Sequence, residues 1–361
     1  MTRGDEVAAR RRVSTVEVLF DLVFVFALTQ LTDFVEHANG PNDFIRALVV
    51  LVLAWAVHGG YVALTSRPAL IAGAAGFLVM AQAISASFSD GTLVFALAYL
   101  FVVLVHLAAA VRCGAPGRGG LALAAFGLGA ALLVGLAVLV PIQWRLPLFG
   151  GGAALFVLES VLRRDRAFDL DPGRFVERHG VLAALVLGGA VVAIGTAALG
   201  RPLDTELAAR IVLALVLIGA FGGLRFERDA QAMAAADPRT RGRMAILGYW
   251  YGQLVMICGV LLFAGGVKQA LATAGAASGT AWLLSGGVAV YLGGDGLFRT
   301  ALGLRAFAER AAAAVIALPF ALLGRGLGVL AELAALSVFL AGMLALDALR
   351  SKGRSKGAGA T

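Results

Sequence analysis

Charge is what this sequence has least of. Asp, Glu, Lys and Arg make up 14% of its 361 residues, and hydrophobic side chains make up 60%. A soluble domain carries about 25% charged residues. This chain therefore cannot cover a water-facing surface, and a soluble fold is excluded. Cysteine is scarce as well. Cys113 and Cys258 cannot form a disulfide framework; they fall near opposite membrane faces in the topology below and read as small core or interface residues. There is no phosphate loop, no zinc-ligand spacing and no Gly-x-Ser-x-Gly elbow. The short loops leave no room for a separate catalytic domain. No catalytic residue, metal or cofactor is therefore assigned. A cleavable signal is also missing. Arg10, Arg11 and Arg12 precede an apolar stretch, but that stretch carries Glu17 and Asp21, and no small-residue cleavage site follows.

What the sequence does have is glycine and long apolar runs. Its 47 glycines against 9 prolines fit helices packed closely through small residues. A span needs roughly 20 mostly apolar residues. Twelve such intervals occur: 14–35, 44–64, 68–88, 92–111, 119–140, 145–162, 179–199, 207–224, 243–264, 278–298, 306–323 and 327–349. Asn39-Gly40-Pro41 and Ala115-Pro116-Gly117 are turn-like breaks, and Gly324-Arg325-Gly326 closes a tight hairpin. The eleventh interval is short and carries Pro319, which predicts a kink or a re-entrant pair with its neighbour.

Alternating the twelve intervals across a membrane puts 24 Lys and Arg on one side and 6 on the other. That is the positive-inside pattern, with both termini cytoplasmic. It accounts for most of the net charge of +8 and removes the case for nucleic acid as a partner. The expectation is an all-α integral membrane protein of the cell inner (plasma) membrane, with about 12 transmembrane helices. A cytoplasmic basic N-terminus (1–13) precedes the first six-helix half (14–162). A cytoplasmic loop (163–178), the second six-helix half (179–349) and a disordered basic tail (350–361) follow.

The halves resemble each other in order. Gly59-Gly60-Tyr61 parallels Gly222-Gly223-Leu224, and Gly76-Phe77-Leu78-Val79-Met80 parallels Gly252-Gln253-Leu254-Val255-Met256. Ala98-Tyr99-Leu100 parallels Val290-Tyr291-Leu292, and Leu158-Glu159-Ser160 parallels Leu346-Asp347-Ala348. Each match is short; their shared order argues for a 6+6 duplication. Six is even, so the halves would be parallel, as in some secondary transporters. Chance matching between two Leu/Ala/Gly-rich halves is the competing explanation.

Ionisable side chains inside a span are costly, so each is a functional candidate. Glu17 and Asp21 stand at i and i+4, on one face of the first span and about 6 Å apart. Two carboxylates this close in low dielectric should not both ionise easily, giving a site that can hold a proton or a cation. The competing reading is that they pair with arginines of neighbouring helices and pin the cytoplasmic end; a pair held by Arg178 or Arg243 would favour it. His58, His106, Glu159, His179, Tyr249, Gln253, Asp295 and Asp347 map to the same half of the membrane, as a polar cavity open to the cytoplasm would require. Asp295 is four residues before Arg299, which predicts a plain ion pair. His58 and His106 read as core histidines, with no haem-attachment signature beside them. Glu332 is the clear acid on the opposite half. Ser87-Phe88-Ser89-Asp90-Gly91 reads as a capped turn.

The run Val16-Glu17-Val18-Leu19-Phe20-Asp21-Leu22-Val23-Phe24-Val25 closely resembles the opening signature of the bacterial low temperature requirement protein A family, centred on Glu-Leu-Phe-Phe-Asp-Leu-Val-Phe-Val. Glu177-Arg178-His179-Gly180 with Leu187-Gly188, Tyr251-Gly252-Gln253-Leu254 and Tyr291-Leu292-Gly293-Gly294 resemble further segments of the family. Three positions depart from it. Gly189 stands where Glu is usual, Gln253 where His is frequent and Asp295 where His is common, so chemistry carried by those groups would be altered here. The family is named for a growth phenotype at low temperature, and the resemblance implies fold and location rather than mechanism.

The leading functional expectation is secondary transport or permeation of a small solute or ion, using a cytoplasm-facing acidic site on the first helix. The site residues are Glu17, Asp21, His58, His179, Gln253 and Glu159, and the partners are the lipid bilayer and a small solute, proton or cation. The alternatives are a membrane-embedded enzyme or lipid-handling protein of the cytoplasmic leaflet, or a structural, cold-adaptation protein whose loops 163–178 and 225–243 bind a partner.

Overall fold

The computed structural model of the protein describes residues 13–62, 64, 66–112, 118–163, 171–223, 233, 235–272, 278–304 and 307–358. Among these there is helix and no strand. The first half is α1 (Thr15–Glu36), α2 (Pro41–Val62), α3 (Arg67–Gln82), α4 (Thr92–Arg112), α5 (Arg118–Leu136) and α6 (Ile142–Arg163). The second opens with α7 (Pro172–Ala198) and α8 (Thr205–Gly223). There follow α9 (Pro238–Met244), a π-helical segment (Ala245–Gly252) and α10 (Gln253–Ala272) as one continuous rod. The chain ends with α11 (Ser278–Ala301), α12 (Phe307–Ala317), α13 (Phe320–Leu327) and α14 (Val329–Ala358). Nine helical stretches among the described residues are long and apolar enough to cross a membrane, and two shorter apolar helices accompany them. The protein is a multi-pass helical membrane protein.

Local chemistry sets the helix starts. Ser14 and Glu17 form a capping box on α1: the Ser14 N–H donates to Glu17 Oε2 at 2.8 Å, and the Glu17 N–H donates to Ser14 Oγ at 3.4 Å. Asp171 caps α7 by accepting from the N–H groups of Gly173 and Arg174 at 2.9 and 3.3 Å, with Pro172 in the first turn. That cap starts α7 seven residues ahead of the apolar interval that begins at 179. Arg174 and Arg178 in this added stretch face carboxylates on α1. The interval 306–323 breaks at Pro319 as its sequence predicts, with α12 stopping at Ala317 and α13 starting at Phe320. α14 continues to Ala358. Nothing between Asp347 and Ala358 is a proline, and the hydrogen-bond ladder runs on. Residues 164–170 and 224–232, which belong in large part to the loops 163–178 and 225–243 expected to bind a partner, and Cys113 lie outside the described residues.

Side chains sort by depth in the bundle. Leu97, Leu132, Val315 and Val338 stay exposed and form the lipid-facing surface. Phe20, Phe24, Phe77, Tyr99, Phe221 and Phe263 are fully buried. The closest packing joins α10 to α11. A Cβ at Gly259 would stand 2.5 Å from the backbone N of Tyr291, and one at Gly287 would stand 2.5 Å from that of Phe263. Only glycine permits that backbone approach.

The helix neighbours recur between the halves. In the first half α1 packs on α2 and α3, α3 on α4, α4 on α5, α5 on α6, and α2 on α6. In the second, α7 packs on α8 and α10, α10 on α11, α11 on α12 and α13, α13 on α14, and α8 on α14. The halves meet where α1 packs on α7 and α10.

Candidate functional site

At the α1–α7 contact four charged residues and a histidine converge. Glu17 and Asp21 sit one turn apart on α1, and Arg174 and Arg178 sit one turn apart on α7. Glu17, already bound in its capping box, accepts a hydrogen bond from Arg174 and lies 3.6 Å from Arg178 Nη1. Asp21 Oδ1 lies 3.5 Å from Arg178 Nη2 and 2.8 Å from His58 Nε2, which reaches it from α2. Arg178 Nη1 also donates to the Val62 carbonyl at 2.7 Å, closing the end of α2. Asp21 and His58 are 0% and 1% exposed. Two carboxylates face two guanidinium groups, so with a neutral imidazole the cluster is balanced. One added proton would take it to a net positive charge.

The cluster is not fully satisfied. Asp21 Oδ2, His58 Nδ1 and Arg178 Nη2 are buried without a hydrogen-bond partner among the described residues, although buried polar groups are nearly always paired. Aromatic rings enclose the histidine: Phe24 at 4.4 Å, Trp55 at 5.6 Å and Phe20 at 5.7 Å between centroids. The imidazole that pairs with Asp21 thus stands in an aromatic shell. Arg178, one of the two arginines named from sequence, holds the carboxylates; Arg243 lies exposed on α9. Glu17 is engaged as an ion-pair partner, and the unfilled hydrogen-bonding capacity rests with Asp21, His58 and Arg178.

His179 and Gln253 form a second group, one residue along α7 from Arg178. His179 Nδ1 pairs with the Phe175 carbonyl at 2.8 Å, and its ring packs 4.2 Å from Phe175 and 5.0 Å from Tyr249. Gln253 Nε2 donates to the His179 carbonyl at 3.4 Å, while its Oε1 is buried without a donor among the described residues. Gln253 lines a narrow crevice of about 20 Å³ with Ala183, Val186, Met256 and Tyr291. A neighbouring crevice of about 10 Å³ between α1, α7 and α10 is lined by Val25, Thr29, Val186 and Gly189. Each has space for roughly one water. A Cβ at Gly189 would stand 2.5 Å from Val25 Cγ1, so a longer side chain at that position would displace α1. Two of the three positions that depart from the family pattern thus line these crevices. The third, Asp295, pairs with Arg299 at 2.8 Å as its spacing predicts and with Arg310 at 2.9 Å; Arg310 also binds Asp347. Glu159 is buried on α6, a helix packed against α2 and α5, and the adjacent Ser160 pairs with Tyr251 of the π-helical segment.

Some contributors carry no sequence signal. Trp55 Nε1 donates to the Trp250 carbonyl of the π-helical turn at 3.1 Å, which fixes the tryptophan beside His58; π-turns occur often at functional sites. The Trp250 ring lies against Gly59 so closely that a Cβ there would collide with it. Lys268 on α10 joins Asp33 and Glu36 of α1 in a separate ion pair, 2.7 Å from Glu36. The Ser87–Gly91 turn is structural: Arg145 donates to the Phe88 carbonyl at 3.1 Å and to Thr92 Oγ1 at 2.8 Å.

No curated protein and no solved structure matches the chain significantly. The profile described as Bacterial low temperature requirement A protein (LtrA) matches residues 12–348, nearly the whole chain. The chain therefore belongs to the bacterial low temperature requirement A family.

Proposed function

We propose that the protein is a proton-linked permeation or secondary transport protein of the plasma membrane, and that the Asp21–His58 pair is its proton-binding site. The carrying observation is a fully buried carboxylate–imidazole contact of 2.8 Å with unpartnered atoms on both sides, Asp21 Oδ2 and His58 Nδ1. A purely structural pin would have its hydrogen bonds filled. Arg178 supplies the counter-charge that lets the carboxylate exist in low dielectric. We read the chain as twelve spans in two parallel six-helix halves with both termini cytoplasmic. The recurring helix neighbours support that reading, and with it the cluster and the crevice lined by Val25 and Gly189 fall at the interface between halves, where transporter sites lie, while the crevice beside Gln253 lies within the second half. Gln253 and His179 belong to the same path; Glu17 is an anchor.

Reconstituted liposomes carrying a trapped pH indicator test this. Wild type should pass protons down an imposed gradient, alone or with a small-solute panel, and Asp21→Asn should reduce the flux at least tenfold. Wild-type flux equal to that of protein-free liposomes, or an Asp21→Asn flux equal to wild type, would sink the proposal.

A second reading is favoured by Arg178, which clasps Glu17, Asp21 and the Val62 carbonyl at once. On it the cluster locks α1, α2 and α7 together, and the protein serves as a structural, cold-adaptation membrane component. Asp21→Asn would then lower stability and leave no transport to lose.

A further inference from the structure

Glu332 lies in the first turn of α14, outside every cluster described so far. It is 0% exposed. Its Oε1 accepts from Ser285 Oγ of α11 at 2.5 Å. Its Oε2 has no hydrogen-bond partner among the described residues and is pressed against Gly324 of α13, where a Cβ would collide with it. A carboxylate in this place would need a cation, and no Lys, Arg or His among the described residues lies within ion-pair distance of it. The charged groups on the packed elements are otherwise engaged or remote. Arg325 on α13 is exposed. On α8, Arg210 and Glu206 pair with each other. On α11, Asp295 and Arg299 pair with each other and begin about 15 Å along the helix from Ser285. Asp347 on α14 is bound to Arg310. A metal ion is disfavoured on the same geometry. The site offers one carboxylate and one hydroxyl, and Gly324 fills the space beside Oε2, whereas a hard cation takes six or more oxygens.

We propose that Glu332 is a second proton-binding site, a carboxylic acid held un-ionised at neutral pH. Ser285 donates to one oxygen and the bound proton sits on the other. An isolated buried charge is avoided by neutralising the group. The proton thereby becomes part of the packing of the α13–α14 hairpin on α11. Loss of the proton would leave an uncompensated anion against the Gly324 backbone, so closure of the hairpin depends on it. Gly324 is required for the same reason, since any side chain there takes the place of Oε2. The inference stands apart from the Asp21–His58 proposal.

Infrared spectroscopy of the full chain in lipid nanodiscs tests it. An un-ionised carboxyl shows a carbonyl stretch that a carboxylate lacks. The wild-type minus Glu332→Gln difference spectrum at pH 7 should contain that acid band, and alkaline titration should replace it with carboxylate bands. Ser285→Ala should keep the band and move it to higher frequency, which also covers the case in which Glu332→Gln fails to fold. Asp21→Asn should leave the band in place even if the transport proposal fails. Carboxylate bands alone at pH 7 would overturn the assignment. So would an acid band that added sodium or potassium removes at constant pH, which would mark a cation site.

Discussion

Removing Arg178 is the perturbation that separates the buried part of the charge cluster from its exposed part. The Arg178 side chain is 4% exposed and contacts two carboxylates and the Val62 carbonyl. Breaking a buried ion pair by deleting one partner costs about 3–5 kcal/mol, because the other charge is left uncompensated. Arg178→Gln should therefore lower stability by that amount. Arg174→Gln is the control. Its side chain is 34% exposed, and exposed pairs contribute roughly 0–1 kcal/mol. Glu17 would also keep Arg178. The double variant Arg178→Gln/Asp21→Asn removes the stranded anion and should recover about 1–3 kcal/mol relative to Arg178→Gln alone, within the coupling range of contacting residues. Unfolding of each variant in bicelles, followed by tryptophan fluorescence, measures all three. If Arg178→Gln is as stable as wild type, or if adding Asp21→Asn makes it worse, the claim that Arg178 balances a buried Asp21 charge is wrong.

Other outcomes follow from the same geometry. Gly259→Val should cost about 3 kcal/mol or more by forcing α10 from α11, whereas Gly286→Ala, with open space at its Cβ, should leave the yield of folded protein unchanged; size-exclusion profiles compare the two. Trp55→Phe should lose about 1 kcal/mol with the bond to the Trp250 carbonyl, seen in the same bicelle unfolding. Asp237, outside the spans, is held below the ordinary carboxylate range, chiefly by its hydrogen bond with Thr240 and then by the N–H of Arg239. With a depressed folded value, its contribution is complete above the ordinary value near 4 and fades as pH falls below it. The protection factors of the Arg239 and Thr240 amides, corrected for the intrinsic slowing of exchange in acid, should fall on acidification, and Asp237→Asn should remove that dependence.

The sequence carried the membrane class, the helical intervals and half of the cluster. Glu17 and Asp21 are four residues apart, so their shared face follows from helical periodicity alone, and the Asp295–Arg299 pair was legible in the same way. His58 was legible as a buried polar residue but not as the partner of Asp21, because the two lie on different helices and only tertiary packing joins them. The early start of α7 was signalled by Asp171-Pro172. The charges of Arg174, Glu177 and Arg178 made the segment resemble a loop, since hydropathy counts a charge without knowing that the partners of the two arginines stand on α1. The π-helical turn has no compositional signature; Ala245–Gly252 would suit an ordinary helix equally well. Glu332 stood out as an isolated acid, while Ser285 and Gly324, which define its surroundings, are ordinary small residues of a membrane helix.

The most direct test is whether His58 and Asp21 exchange a proton inside the folded protein. Nitrogen NMR of ring-labelled histidine in nanodiscs, with Glu17 and Arg178 intact, reads the protonation of His58 against a His58→Gln reference. The proposal predicts that the His58 signals shift with pH and that Asp21→Asn displaces that titration. Ring signals that stay fixed across the pH range over which the protein remains folded, in wild type and in Asp21→Asn alike, would show a static clasp and contradict a proton-binding site.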